Sequence, residues 1–308
     1  MILTLGLLCI LGPGPVAADS APTPIILDTD IGSDVDDCFA VATAICDPRL
    51  EVVAITTVHD PDSVRGRLVR KLLQAFGRLD IPIYTGRVKH GDPPHYSYAH
   101  WAESYSWYPP EETAPEAIVR LASERPGELT LVAVGPQRNV ADALALDPQL
   151  TAKLVRLVCM AGSYEIGYQG APEPHPEWNV TQDIEAAQAV FSSGLPITMV
   201  GLDVCGLAIP STDQMTALDS SRHLGHRTLA KLARLYRDFG GPYPPVLFDV
   251  VAVLQAANPE SCETRPIPIE VDDEGYTRRA TDDRPHRVCT AADQDALVAR
   301  AWRILDQH

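Results

Sequence analysis

Ile25-Ile26-Leu27-Asp28-Thr29-Asp30-Ile31-Gly32-Ser33-Asp34-Val35-Asp36-Asp37, running into Cys38-Phe39-Ala40-Val41-Ala42-Thr43-Ala44-Ile45-Cys46, carries a strand, an acidic turn and a helix in one stretch. Ile25 to Leu27 reads as a short buried strand. The apolar run from Cys38 to Cys46 is too long and too rich in alanine for a second strand and reads as a buried helix. Between them lie Asp28, Asp30, Asp34, Asp36 and Asp37, with Gly32 allowing a tight turn. The acids therefore crowd the junction of a strand end and a helix start, which is where ligands bind in open α/β sheets. One or two of them could be helix caps on a solvated loop. A helix N-terminus offsets only about 1 kcal/mol per carboxylate, too little to gather all five. A hard cation, which takes carboxylate oxygens, resolves the crowding.

The flanking chain repeats the alternation. Leu50–Val58 is a β-branched strand, 63–76 has helical spacing, and Ile81–Tyr84 is a short strand. A helix is predicted over Ala114–Arg125, a strand over Leu129–Val134, and a turn at Gly135-Pro136 that starts another helix. Strands follow at Leu154–Met160 and Pro196–Leu202, with a helix over 183–192 between them. A basic amphipathic helix covers 226–239. The segment from Leu247 to Val253 reads as a buried helix carrying Asp249, and Ile267–Val271 as a strand. A closing helix starts at Asp293. Strand–helix alternation predicts an α/β fold: an open, mostly parallel sheet with helices on both faces, forming a single domain over 24–308. No GxGxxG or GxxxxGK[ST] is present, so nucleotide cofactors held by glycine loops have no support.

The 308 residues carry 41 acidic and 25 basic side chains, a net charge of −16. Such a surface repels phosphate backbones, so nucleic acid polymers are not expected partners, whereas a small neutral molecule is admitted. Residues 1–18 stand apart: an apolar run from Ile2 to Leu11, then Val16-Ala17-Ala18, reads as a secretory signal peptide without a basic start. That run is too short to span a bilayer. The expected location is secreted or periplasmic, with no membrane partner. Of the six cysteines beyond residue 18, Cys262 and Cys289 lie in looser sequence and are the better candidates for a bridge. Residues 87–112 are rich in histidine, tyrosine and tryptophan. They read either as a lid that stacks on a planar ring or as a loop that covers the surface or meets another subunit.

Ile26-Leu27-Asp28-Thr29-Asp30-Ile31-Gly32-Ser33-Asp34-Val35-Asp36-Asp37 resembles the N-terminal aspartate motif of the inosine–uridine-preferring nucleoside hydrolase family. The resemblance continues, in order, through Ile55-Thr56-Thr57-Val58, Pro82-Ile83-Tyr84-Thr85-Gly86, Gly135-Pro136 with Asn139, Met160-Ala161-Gly162, Glu177-Trp178-Asn179 and Asp249. It implies a Ca²⁺-dependent enzyme of nucleoside salvage that cleaves the N-glycosidic bond of a ribonucleoside, commonly as a homodimer or homotetramer. By the same resemblance Asp30, Asp37 and Asp249 would bind the ion, with the backbone carbonyl of Arg138. Asp30 would also take the proton of the attacking water. Asp36, Glu177 and Asn179 would hold ribose hydroxyls, Met160 would lie against the sugar, and Phe248 would face the base.

The residues fit that chemistry on their own account. Carboxylates stabilise an oxocarbenium-like transition state, and a lone Asp249 in an apolar helix is costly to bury without a cation. Three departures stand out. Asp34 and Asp36-Asp37 are spaced more widely than in the best-known members. Val58-His59-Asp60-Pro61 lacks the usual Gly-Asn, with Asp60 as its stand-in. Phe248 occupies the place where many members carry the histidine that protonates the leaving base, making His90, His95 and His100 candidate donors. Two rival readings use the same residues. One is a catalytically silent, calcium-bound nucleoside- or sugar-binding protein. The other is a haloacid-dehalogenase-type phosphohydrolase built on Asp28-Thr29-Asp30.

Overall fold

The computed structural model describes residues 21–86, 96–281 and 284–307. The elements in chain order are β1 (Thr23–Thr29), α1 (Asp36–Cys46), β2 (Leu50–Thr57), α2 (Val64–Ala75), β3 (Ile83–Thr85), α3 (Ala114–Glu124), β4 (Thr130–Ala133), α4 (Arg138–Leu146), α5 (Leu150–Lys153), β5 (Arg156–Met160) and α6 (Trp178–Thr181). They continue with α7 (Ile184–Ser192), β6 (Ile197–Val200), α8 (Leu202–Cys205), α9 (Thr212–Ser220), α10 (Leu224–Asp238), α11 (Phe248–Ala257), β7 (Glu263–Ile267), β8 (Ile269–Val271), β9 (Thr277–Arg279), β10 (His286–Ala291) and α12 (Gln294–Asp306).

Eight strands form one sheet in the order β3-β2-β1-β4-β5-β6-β10-β7. All its pairings are parallel except β10 with β7 at the edge. Strand β1 shows why the fold needs helices on both sides. Ile25 and Leu27 enter one apolar core and Ile26 enters the other, all with no exposed surface. A strand buried on both faces reads as an unbroken apolar run. The chain runs outward from β1 through β2 to β3, then crosses back by α3 to β4 on the other side of β1, where the strand order reverses. This switch point opens a crevice at the carboxyl ends of the strands.

Two expectations at the far end of the chain are corrected. Ile267–Val271 is not one strand, because Pro268 divides it: β7 pairs with β10, while β8 forms a separate hairpin with β9. Proline lacks the N–H that a continuous ladder would use. Cys262 and Cys289 are free thiols. Both lie buried in the same apolar core and touch one another, behaving as small hydrophobes.

The described part of the aromatic segment is fastened to the body. Tyr98 is fully buried. Its hydroxyl accepts from Gly32 N–H at 2.9 Å and donates to the Asp34 carbonyl at 2.6 Å. Ser97 adds a backbone bond to the Gly32 carbonyl (2.8 Å) and a hydroxyl bond to that of Ser33 (2.7 Å). Gly32, at φ +118°, sits where side chains other than glycine are strained. Trp107 lies against Gly66 of α2, where even a Cβ would come within 2.3 Å of its ring. The aromatic stretch is thus a clamp on the acidic turn over 96–107; residues 87–95 lie outside the described residues.

Tyr98→Phe is expected to destabilise the protein by about 1–3 kcal/mol, because it orphans the buried polar groups at Gly32 and Asp34. The shift of the urea unfolding midpoint measures it, and a change under about 0.5 kcal/mol would contradict the clamp.

Candidate active site and metal centre

The end of β1 separates the first two aspartates, Asp28 lying inside the strand and Asp30 just beyond it. Asp28 points into the protein, where it accepts from the Thr56 hydroxyl at 2.6 Å and the Asn139 amide at 2.7 Å. Burial pushes its carboxyl up to about 7, partly countered by those two bonds. Asn139 also donates to the Thr57 carbonyl at 3.1 Å. A Cβ at Gly86 would come within 2.1 Å of the Asn139 oxygen. The Thr-Gly and Gly-Pro…Asn segments are therefore the brace behind the site.

Asp30, beyond the end of β1, lines a cavity of about 490 Å³. Gly135, at the end of β4, has to be glycine because a Cβ there would lie 2.9 Å from the Asp30 backbone nitrogen. Arg65, buried on α2, places its guanidinium 3.8 Å from Asp30 and donates to the Ile31 carbonyl at 3.0 Å. Burial raises the Asp30 carboxyl, and the charge of Arg65 opposes the rise.

Asp36, Asp37 and Asp249 converge from opposite ends of the chain, with one oxygen of each within 4.8 Å of the others. Asp36 and Asp37 open α1, and Asp249 lies in the first turn of α11. Two positive helix ends thus face one spot. The Asp249 N–H donates to Asp36 at 3.1 Å, and the Thr29 hydroxyl donates to Asp37. Burial, followed by mutual repulsion, pushes the carboxyls of Asp36 and Asp249 well above their usual range. This all-oxygen, anionic donor set suits a hard divalent cation. Asp30 lines the same cavity but stands outside this close trio.

Glu177 caps α6. Its carboxylate accepts from the backbone N–H of Asn179 (2.8 Å), Gly162 (3.1 Å) and Val180 (3.3 Å). Burial nevertheless raises it to about 7. The Asn179 amide nitrogen ties β4 to β5 through the carbonyls of Val134 (3.2 Å) and Met160 (3.1 Å). Its oxygen is left as an acceptor. Met160 is buried at the cavity floor, and Phe248 packs edge-on against Tyr168 with centroids 6.2 Å apart.

Other candidates lie elsewhere. The Arg138 side chain turns away into a bidentate pair with Asp183 (2.8 and 2.7 Å), with His59 at 3.4 Å from the same carboxylate. Burial alone would raise Asp183, but hydrogen bonds from His59 and Arg138 hold it well below the usual range. Asp60 does not stand in for an amide at the cavity. It is fully buried and caps α2, accepting from Arg65 N–H at 3.0 Å and Gly66 N–H at 2.8 Å. His100 is exposed and borders a separate hollow with Tyr96 and Phe239. His90 and His95 lie outside the described residues.

Several cavity residues carried no signal in the sequence. Tyr236, near the end of α10, donates to Asp34 at 2.8 Å. Tyr168, Trp178 and Phe239 complete the walls. Trp178 sits within the Glu177-Trp178-Asn179 motif, whereas Tyr236, Tyr168 and Phe239 sit in or beside an ordinary amphipathic helix or in a loop, without a motif around them.

An acid-lined cavity at the switch point of a parallel sheet defines an α/β protein with the layout of a small-molecule enzyme. The chain belongs to the inosine-uridine preferring nucleoside hydrolase family, whose model matches residues 25–299. It is 39% identical over 196 residues to a pyrimidine-specific ribonucleoside hydrolase, RihA, of Salmonella arizonae, a match covering 59% of this chain and 60% of that protein. It is 30% identical over 255 residues to uridine nucleosidase 1 of Arabidopsis thaliana, covering 77% of this chain and 74% of that one. The chain thus spans less than two thirds of the RihA length but about three quarters of the plant protein. In fold it is similar to the plant nucleoside hydrolase PpNRh1, with a TM-score of 0.81 at 23% identity over 92% of this chain and 99% of that one. The inosine-uridine preferring enzyme of Bacillus anthracis gives a TM-score of 0.77 at 18% identity, covering 93% and 100%.

Glu177 gives the pH dependence a definite sign. Its carboxyl titrates near 4.3 in an unfolded chain and at about 7 when folded. Its favourable contribution is complete below the first value and lost as pH rises through the second, when a buried charge must form. With metal chelated, stability is expected to fall between about pH 4.5 and 7.5, and Glu177→Gln to flatten that fall by roughly 1–3 kcal/mol. Parallel profiles for the two proteins, from urea unfolding at stepped pH, would refute this.

Proposed function

We propose that this protein hydrolyses the N-glycosidic bond of ribonucleosides, releasing the free base and ribose, and that it does so with Ca²⁺. The reading is carried by the meeting of Asp36, Asp37 and Asp249 in the cavity that also holds Asp30, Glu177 and Asn179. Family membership and the names of its relatives support it. Asp37 and Asp249 are the side chains proposed to hold the ion, with Asp36 beside them, Asp30 at the water side and the Arg138 carbonyl as a further ligand. Calcium tolerates such a crowded, flexible oxygen set better than magnesium does. When bound, the ion lowers the pKa of water and offsets the surrounding carboxylates.

The chain's own groups then divide the work. Asp30, whose burial-raised carboxyl is opposed by the charge of Arg65, accepts the proton of the attacking water. Glu177 and the Asn179 oxygen accept ribose hydroxyls, whose vicinal donors match acidic and amide acceptors. The remaining carboxylates stabilise positive charge as the sugar–base bond lengthens. Met160 packs under the sugar, and the aromatic walls take the base. The phosphohydrolase alternative is disfavoured by Asp28, which would be its nucleophile but is fully buried and held by Thr56 and Asn139. We further propose that the protein is exported through residues 1–18.

With Ca²⁺ present, incubation with uridine and inosine should release free base and reducing sugar. Asp30→Asn should lower kcat/KM by roughly 10²–10⁴-fold, the range of a lost general base. Absence of sugar from every ribonucleoside, with ligand binding intact by calorimetry, would instead establish a silent binding protein. Removing Ca²⁺ with a chelator should abolish turnover, and returning it should raise the melting temperature by mass action. Asp249→Asn should lose that thermal shift; retaining it would refute the assigned ligand set.

A further inference from the structure

Resting on the hydrolase reading above, we infer that Tyr168 is a catalytic residue: its hydroxyl donates a hydrogen bond to the departing base and stabilises the negative charge the base takes on as the sugar–base bond breaks. The need comes from the chemistry. When the C1′–N bond of a neutral nucleoside breaks, its electron pair goes to the base, and a donor aimed where that charge collects lowers the barrier. Phe248, which opens α11 beside Asp249, has no polar hydrogen to offer.

The other donors of the cavity wall are spent. The Tyr236 hydroxyl goes to Asp34 at 2.8 Å, and the Ser97 hydroxyl to the Ser33 carbonyl at 2.7 Å. The Ser33 hydroxyl is turned to Asp30, and the Asn179 amide to the carbonyls of Val134 and Met160. Asp34 uses both of its oxygens as acceptors, one for Tyr236 and the other for the Val35 and Asp36 N–H groups. The Trp178 side chain is half exposed to water. Tyr168 differs. Its hydroxyl accepts from the Trp178 N–H at 2.9 Å, and its own proton has no acceptor among the described residues. A phenol oxygen accepts and donates at once, and the bond it accepts strengthens the one it gives. Burial raises this phenol well above its ordinary range, with the Trp178 N–H opposing the rise. The group therefore keeps its proton and acts by hydrogen bonding rather than by full transfer.

The position fits that task. The Tyr168 ring meets Phe248 edge-on, with centroids 6.2 Å apart. Its hydroxyl lies against the backbone of the residue between Glu177 and Asn179, the two side chains proposed to hold ribose hydroxyls. Tyr168 thus stands where the sugar and base ends of the cavity meet. The segment that carries it is firmly held. Asp203 of α8 accepts from the backbone N–H groups of Tyr164 (2.8 Å), Glu165 (2.7 Å) and Ile166 (3.0 Å). The Ser163 hydroxyl donates to the Ile166 carbonyl at 2.8 Å, and the Gly167 N–H to the Ala171 carbonyl at 2.9 Å, closing a turn around Tyr168. Gln169, next to the phenol, sits at φ +57°. A left-handed residue of this kind persists where its surroundings fix it.

The step balances without a further acid. The water oxygen bonds to C1′ and its proton goes to Asp30. The electron pair of the broken bond goes to the base, which leaves as an anion held by the Tyr168 O–H. The base then takes one proton from solvent and Asp30 returns one, so nucleoside and water give neutral base and ribose.

The test compares wild type and Tyr168→Phe on uridine, inosine and p-nitrophenyl β-D-riboside, whose leaving group is stable as an anion without a donor. The variant is expected to lose roughly 10²–10³-fold in kcat/KM on uridine and inosine, mostly in kcat, the range for one such donor. On the aryl riboside it is expected to lose less than about fivefold, since only an interaction that strengthens in the transition state speeds the reaction. Equal losses on all three substrates would show that Tyr168 holds the sugar or the wall, and would overturn the inference while the hydrolase reading stands. Unchanged cleavage of uridine and inosine by the variant would overturn it in the same way. Wild type that turns over neither uridine nor inosine would sink the hydrolase reading itself, and this inference with it.

Discussion

Like charges held out of water at the carboxyl edge of the sheet set the terms for the rest of the molecule. Asp36, Asp37 and Asp249 are almost wholly buried, and their oxygens approach one another within 4.8 Å. At such separations repulsion in a medium less polar than water amounts to several kcal/mol. The fold answers with directed dipoles. Helices α1 and α11 pack together so that their N-terminal ends meet at the trio. The Asp249 N–H, itself part of α11, is given to Asp36. Arg65 adds one full positive charge, aimed at Asp30 and the turn carbonyls rather than at the trio. These offsets are partial, which is why a cation completes the arrangement.

Holding such a cluster requires a rigid frame, and much of the family resemblance lies in that frame. Asp28, Thr56 and Asn139 form a buried polar brace linking β1, β2 and the start of α4. Gly135 and Gly86 allow backbone to approach the site closely, the first against Asp30 and the second against Asn139. Tyr98 crosses from a distant loop to satisfy both the N–H of Gly32 and the carbonyl of Asp34. These paired contacts fix one geometry, although the second carboxyl oxygen of Asp28 is buried without a hydrogen-bond partner. Motif residues outside the cavity thus act by fixing where the cavity residues stand.

The parts legible in the sequence were those governed by local pattern. β1, β2 and β5 are buried strands and announce themselves as β-branched apolar runs. Gly32 marks the turn, and Asp249 stands out as a lone acid in an apolar helix. What remained hidden depended on partners distant in sequence. Asp28 and Asp30 look alike as letters, and strand alternation would put both on one face; β1 ends at Thr29, so Asp28 stays inside against Asn139 while Asp30 turns to the cavity. Asp60 reads as a site residue but is spent on the first turn of α2. β10 opens on His286-Arg287 and gave no strand signal; it becomes one by pairing with β6 on one side and β7 on the other. The role of Tyr236 rests on a contact with Asp34 across 202 residues of chain, beyond any local rule.

The two ends of the cavity follow different physical logic. At the trio, negative charge is concentrated where helix dipoles and a cation can balance it. At Asp34 the partners are a neutral phenol and backbone N–H groups, which only partly counter the burial that raises its carboxyl. A base placed there would meet aromatic faces and the Tyr168 hydroxyl, which accepts from Trp178 N–H and keeps its own proton to donate.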